Sequence, residues 1–295
     1  MTLLDTTRPS ARTAGGLAAL ACVLVGGSVP VTGLLDGYPV LSGQAIRYGI
    51  GAVLLALWLL DKGRRIRLPG RADLAGLTVM VGAGMLGFNA AILVAQRYAT
   101  PGFVAALLGA SPLVLAVVAP ALRGRRPAPA ALAGAGLVTC GVVVLSGGGG
   151  WHGPGLLLAI LVTACEVAFT LGGVGVVARL GAVEASLLAC VGAAVGGAAL
   201  STVVDGAAAW PAPTATELVA MVVLGALVTA VAFVFWYTGV DVLGADRVGV
   251  LIGLMPVAGL VVSVVLGAQS LTLVALGGAL VVAAGCAVGM RSSVG

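Results

Sequence analysis

The sequence predicts an all-α polytopic membrane protein: ten transmembrane helices arranged as two inverted five-helix repeats. Three observations carry that expectation. The 295 residues are 60% hydrophobic and only 8% charged, with a mean hydropathy of +1.19, whereas a soluble domain needs about 25% charged residues to keep its surface wet. Apolar runs of about 20 residues recur from end to end, each able to span a hydrocarbon core of ~30 Å as a helix. The second half of the chain also repeats the first at a gapless offset of 144 residues.

The spans are expected at 14–33, 39–60, 74–96, 101–122, 128–146, 154–178, 183–204, 215–239, 247–267 and 271–290. The first is too long for the apolar region of a signal peptide, and the repeat requires it as a helix. No alternating ten-residue pattern points to a membrane β-barrel. The fourth and ninth spans display the repeat most clearly. "VAALLGASPLVLAVV" from Val104 lies over "VGVLIGLMPVAGLVV" from Val248, matching Leu107 with Leu251, Gly109 with Gly253 and Pro112 with Pro256. A proline inside a span frees a backbone carbonyl, so Pro112 and Pro256 are expected to kink their helices. The fifth and tenth spans match as "ALAGAGLVTCG" and "ALGGALVVAAG".

Each repeat holds five helices, an odd number, so the second is expected to cross the membrane in the opposite sense. The charges agree: "RGRRP" follows the fourth span, and the uncharged "GAQSL" follows the ninth. With the N-terminus inside, thirteen of the fifteen Lys and Arg residues fall on cytoplasmic segments, as the positive-inside bias requires. They include Arg8, Lys62, Arg64, Arg65, Arg123, Arg125, Arg179 and Arg247, while Asp36, Asp205 and Glu217 fall outside. The expected organisation is a cytoplasmic tail (1–13), a first repeat (14–146), a Gly-rich outer linker (147–153), a second repeat (154–290) and a second cytoplasmic tail (291–295). The Arg-over-Lys and Ala/Gly/Val bias is that of a high-GC bacterial genome, so the expected location is a bacterial cytoplasmic membrane.

This layout resembles the EamA-type branch of the drug/metabolite transporter superfamily. The matching features are ten spans in two five-helix repeats, a proline in spans four and nine followed by a Gly-rich span, and an arginine early in span two, in "PVLSGQAIRYG". The resemblance covers nearly the whole chain and implies a transporter. Members often carry a glutamate in a "GE" pair after spans four and nine. Arg125 and Gln269 stand there in this chain, so no role of that glutamate carries over.

Several motifs have plainer readings. "GAGMLG" (82–87) fits a dinucleotide fingerprint, but that chemistry needs a strand–turn–helix context, and within a span close helix packing is expected. The same holds for the spacings Gly192/Gly196, Gly249/Gly253 and Gly285/Gly289. The five cysteines lie within spans and are read as small apolar packing residues. Lys62 is the only lysine and no phosphate-binding loop is present, which argues against ATP-driven pumping. His152 is the only histidine, so neither a His-based metal site nor a Ser–His–Asp triad can be built; no cofactor or metal is expected, and no enzyme. The net charge of +5 follows topology and implies no nucleic acid partner.

Two ions remain inside spans. Glu166 lies midway along span six, about 20 Å from either end at ~1.5 Å per residue. Thr163, Thr170 and Gly173 share its face, so it is expected to look into protein or a cavity. Intramembrane acids cost roughly 3 kcal/mol or more to insert and mark substrate or proton pathways; the plainer reading is a protonated glutamate bonded to a neighbouring helix. Arg47 in span two has Gln44 and Gly51 on its face. It is expected to clamp a substrate carboxylate, to balance Glu166, or to serve the fold as a whole, which the recurrence of this arginine in the family favours.

"FVFWY" places Phe233, Trp236 and Tyr237 on one face of span eight, with Phe88 and Asn89 of span three opposite in pseudo-symmetry. These could line a pocket for an organic substrate, or Trp236 could belong to the interfacial belt expected of Tyr38, Trp58, Trp151 and Trp210.

Together these features lead to a secondary transporter with its site near the midplane between halves. The expected activity is proton-coupled export of a small organic metabolite, amino-acid-like or cationic. An uncoupled facilitator or uptake carrier, and a non-transporting scaffold or regulator, are the alternatives. The expected partners are the substrate, protons and the lipid bilayer, with a homodimer possible through Gly-rich faces.

Overall fold

The computed structural model describes residues 9–35, 37–64, 66–147, 149–267 and 270–291. Arg8, Arg65, Asp36 and Gln269, used above for charge topology and family comparison, lie outside the described residues. Among the described residues the regular structure is helical, with one isolated bridge between Ala99 and Trp151.

Among the described residues, nine membrane-length apolar helices and one shorter apolar helix follow one another. They are α1 (Ala11–Gly33), α2 (Val40–Asp61), α3 (Arg71–Ala95), α4 (Pro101–Ala121) and α5 (Pro129–Ser146), then α6 (Gly155–Leu180), α7 (Ala182–Ala208), α8 (Ala215–Leu243), α9 (Ala245–Val265) and α10 (Leu273–Gly289). Among the described residues, nine are long and apolar enough to cross a membrane; α10, with 17 residues, is the shorter one. It begins at Leu273, two residues inside the expected span, because Thr272 caps it by accepting from the Ala275 amide at 3.1 Å. Its length is about 25 Å, against a core of ~30 Å. Large apolar side chains such as Leu57, Leu157, Val195 and Leu280 are exposed on the outer faces, the surface a lipid solvent wants.

Packing rests on small residues. Helix α5 lies against α10 with backbones nearly touching: a Cβ on Gly141 would sit 2.7 Å from the Val282 nitrogen, and one on Gly285 2.7 Å from the Val138 nitrogen. Helix α1 packs on α8 and α9, α6 on α3 and α4, and α2 on α7. Under the 144-residue offset the α1–α8 contact corresponds to α6–α3, and α1–α9 to α6–α4. The glycine pairs read as packing devices behave so at Gly192 (against Val81), Gly249 (against Leu115) and Gly253 (against Val138).

The interruptions also recur at equivalent places. Helices α3 and α8 widen to π geometry over Met80–Gly87 and Leu224–Val231, segments 144 residues apart at both ends. Helix α4 breaks at Gly109–Ala110 just before Pro112, and α9 winds as a 3-10 helix over Gly249–Gly253 just before Pro256. Proline lacks an N–H and its ring crowds the carbonyl four residues earlier, which places each irregularity upstream. Neighbouring helices reach carbonyls of these irregular turns. The Thr139 hydroxyl of α5 lies 2.9 Å from the Gly109 carbonyl, and the Cys286 thiol of α10 donates to the Val250 carbonyl at 3.3 Å. Cys286 therefore does more than fill space, while Cys140 is exposed.

The belt expectation needs one correction. Trp151 and Trp210 are exposed and Trp58 is half-buried, but Tyr38 is buried and its hydroxyl donates to the Pro211 carbonyl at 3.0 Å. Burial, with a smaller push from the Glu217 carboxylate, raises its phenol above the ordinary range.

Helix ends rich in arginine gather at one end of the bundle, called the basic end below. Two ion pairs join the repeats there: Arg179 Nε to Asp73 Oδ1 at 2.6 Å, and Arg64 Nη2 to the buried Glu184 Oε1 at 2.9 Å.

The α5–α10 seam yields a stability prediction. Gly285→Ala should cost about 1–3 kcal/mol by overpacking, read as a lower unfolding temperature in detergent. Gly277→Ala, at a position with open space around it, should change it little. Equal effects would mean the close seam contributes nothing particular.

Candidate functional site

The polar and aromatic residues near mid-depth form one chain of contacts running from α2 to α6. At one end, Arg47 Nη2 donates to the Tyr48 hydroxyl at 2.9 Å, and its guanidinium carbon lies 4.7 Å from that ring centre. Arg47 Nε is buried with no partner, as is Oε1 of Gln44 one turn earlier. The π segment of α3 supplies the next link. Its Met85 carbonyl accepts from Asn89 Nδ2 at 2.5 Å and from the Tyr48 hydroxyl at 3.5 Å, while Asn89 Nδ2 also reaches the Tyr48 oxygen at 3.4 Å. A π turn misaligns the helix ladder, and such segments concentrate at functional sites.

An aromatic wall continues from there. The Tyr48 ring centre lies 6.5 Å from Phe233 of α8, Phe233 lies 5.3 Å from Phe169 of α6, and Phe169 lies 5.4 Å from Tyr237. These tilted pairs sit in the usual range for aromatic contacts. Tyr237 donates to the Phe169 carbonyl at 2.9 Å. Its ring fits against α6 only because residue 173 is glycine, where a Cβ would overlap the ring.

At the far end, Glu166 is half-buried, one turn before Phe169. No hydrogen bond or ion pair to Glu166 is found among the described residues, and none joins it to Arg47. The structure therefore does not contain the Arg47–Glu166 counter-ion pair. Each ionisable group stands at its own end of the wall, and among the described residues neither forms an ion pair.

Not every expected residue joins this chain. Phe88 packs instead with Ala91, Phe103, Val104 and Val162 in a separate cluster. Trp236 is buried in the main core, not at an interfacial belt, and its Nε1 has no partner. Thr163 uses its hydroxyl on the Ala159 carbonyl at 3.0 Å, one helical turn back, whereas the fully buried Thr170 hydroxyl is unpartnered. Pro112 and Pro256 lie at the interruptions of α4 and α9. Tyr48 and Phe169 were missed by sequence reasoning, though both carried a signal: Tyr48 adjoins Arg47, and Phe169 is three residues from Glu166, on its side of the helix. With Tyr48 and Tyr237 at 1% and 0% exposure, the wall is closed, so a substrate needs helices to part.

The comparisons with known proteins agree with this architecture. A crystal structure superposes with a TM-score of 0.80 at 23% identity, covering 96% of this chain and 98% of that one; at that identity the likeness is one of fold. No curated protein matches. The model of the EamA-like transporter family matches twice, over residues 13–147 and 153–290, so that each half of the chain carries one copy. That family is part of the drug/metabolite transporter superfamily. By that double match over nearly its entire length, this membrane protein belongs to the EamA-like transporter family.

Proposed function

We propose that this chain is a secondary transporter exporting a small organic metabolite, amino-acid-like or cationic, in exchange for protons, by alternating access. One observation carries the reading. Two intramembrane ionisable groups, Arg47 of the first repeat and Glu166 of the second, stand without an ion pair among the described residues at opposite ends of an aromatic wall built from α2, α6 and α8. Ionisable groups inside a membrane are costly and mark substrate or proton pathways. In the proposed cycle Glu166 takes up a proton or the cationic group of the substrate, Arg47 takes a carboxylate where the substrate has one, and the aromatic rings receive its organic body.

The moving parts follow from the repeat. Helices α3, α4, α8 and α9 carry the interruptions, and we assign the changes of shape to them, with α5 and α10 locked by their glycine seam. The basic end, taken as cytoplasmic on its arginine content, is held shut by Asp73–Arg179 and Arg64–Glu184. The opposite end has no matching clasp at the position equivalent to Asp73: Glu217 only caps its own helix, accepting from the Thr214 amide at 2.6 Å. The equivalent of Arg179 is Leu35. Opening inward then requires breaking two ion pairs that opening outward leaves intact.

Proteoliposomes containing a pH-sensitive dye test the coupling. With pools of amino acids, amines and lipophilic cations, the wild type should show substrate-driven proton flux that Glu166→Gln abolishes. Equal transport by both proteins would make Glu166 structural and the protein an uncoupled facilitator. Asp73→Asn should shift the balance toward the inward-open form, read as faster cysteine labelling at the basic end. The exchanged pair Asp73→Arg with Arg179→Asp should restore the balance; failure of both effects would remove the clasp from the cycle.

A further inference from the structure

We propose that the basic end carries a second site, separate from the transport path, for the phosphodiester headgroup of a membrane lipid. A cleft of about 280 Å³ opens between the end of α4 and the α8–α9 turn, lined by Arg123, Arg125, Arg247, Asp241 and Asp246 around Gly244. Gly244 has φ +88, and a Cβ there would sit 2.7 Å from Asp246 Oδ1 and 3.8 Å from Arg123 Nη1. The turn thus brings a guanidinium and a carboxylate close to its own backbone from two separate elements.

The arginines differ from others at the same end. Arg64 and Arg179 each hold a carboxylate of the opposite repeat. Arg123, Arg125 and Arg247 make no ion pair among the described residues. Three guanidiniums gather around one cleft, a cationic surface that suits the negative charge of a phosphodiester. Guanidinium also presents paired N–H donors that suit phosphate oxygens.

The choice of a lipid over free phosphate rests on what leads up to the cleft. Leu113, Val114 and Val117 of α4 are exposed at 38%, 36% and 44%, and Leu122, next to Arg123, at 72%. Leu113 and Val117 are four residues apart and Val114 and Val117 three, so they form a continuous stripe along α4. An acyl chain lying on that stripe brings its headgroup to the arginines, as basic pockets at membrane surfaces do; a free phosphate has no use for the stripe.

The test uses the full chain in a maltoside detergent, with native mass spectrometry reading bound lipid. Three probes are added separately: phosphatidylglycerol, a galactosyl diacylglycerol with the same acyl chains, and inorganic phosphate. The wild type should keep phosphatidylglycerol at collision energies that strip the galactolipid. Retention should fall about thirtyfold in Arg123→Gln with Arg247→Gln, as losing two basic contacts near a membrane surface implies. It should persist in Arg67→Gln with Arg71→Gln, which changes two basic residues of the same end outside the cleft. Arg125→Gln, at an exposed position, supplies a milder version of the loss if the double variant does not fold. Equal retention of both lipids, or of phosphatidylglycerol by the cleft variants, would overturn the site. Displacement of the lipid by millimolar inorganic phosphate would overturn its assignment to a lipid.

Discussion

Hydrocarbon offers no hydrogen bonds, and the rest of this structure follows from that. Every backbone group inside the bilayer must find its partner within the protein, which makes the chain helical throughout and decides where a helix can be broken. The carbonyl of Gly109, at the break before Pro112, faces the Thr139 hydroxyl; that of Val250, in the 3-10 stretch before Pro256, receives the Cys286 thiol; that of Met85, in a π segment, takes Asn89 and Tyr48. Each partner comes from a neighbouring helix or from the next turn. Such neighbours must lie close, and the glycines of α5 and α10 provide that closeness where side chains would hold the backbones apart.

Against this economy some buried polar groups are left over, at Ser111, Ser186, Thr229 and Trp236 as well as at the site. An unsatisfied buried polar group costs about 1–3 kcal/mol, and native folds keep few of them. Here Gln44 Oε1, Arg47 Nε and the Thr170 hydroxyl lack partners, and Glu166 faces its surroundings alone. They belong to α2 and α6, one helix from each repeat, with aromatic rings between. In the proposed cycle a group supplied from outside the chain, substrate or proton, meets these groups. The ion pairs at the basic end add an asymmetry that the repeat itself does not contain, since Asp73 is engaged across the repeats and Glu217 is not.

Much of the fold was legible in hydropathy and in the 144-residue offset. The helices begin and end within a few residues of the expected spans, α10 included, where the Thr272 cap sets the start at Leu273. Glu166 and Arg47 were visible because charge inside an apolar run is conspicuous. Tyr48 and Phe169 were less so, since an aromatic residue in a span looks like any other apolar one until its neighbours are known. Phe88 was misplaced by a single position. The offset aligns Asn89, not Phe88, with Phe233, and adjacent residues on a helix point about 100° apart, so Phe88 turns to a different cluster. The π segments, and the Asp73–Arg179 pair spanning 106 residues, depend on tertiary packing and leave no local pattern to find.

The central claim is that Glu166 lies on a water path that opens toward each side of the membrane in turn. Glu166→Cys, in a background with the five native cysteines replaced by alanine, can be exposed to a membrane-impermeant thiol reagent from one side and then the other. The account predicts labelling from both sides, each slowed when the clasped or the opened form is favoured by changes at Asp73 and Arg179. A cysteine at 166 that stays unlabelled from either side, in protein that is folded and inserted, would contradict it.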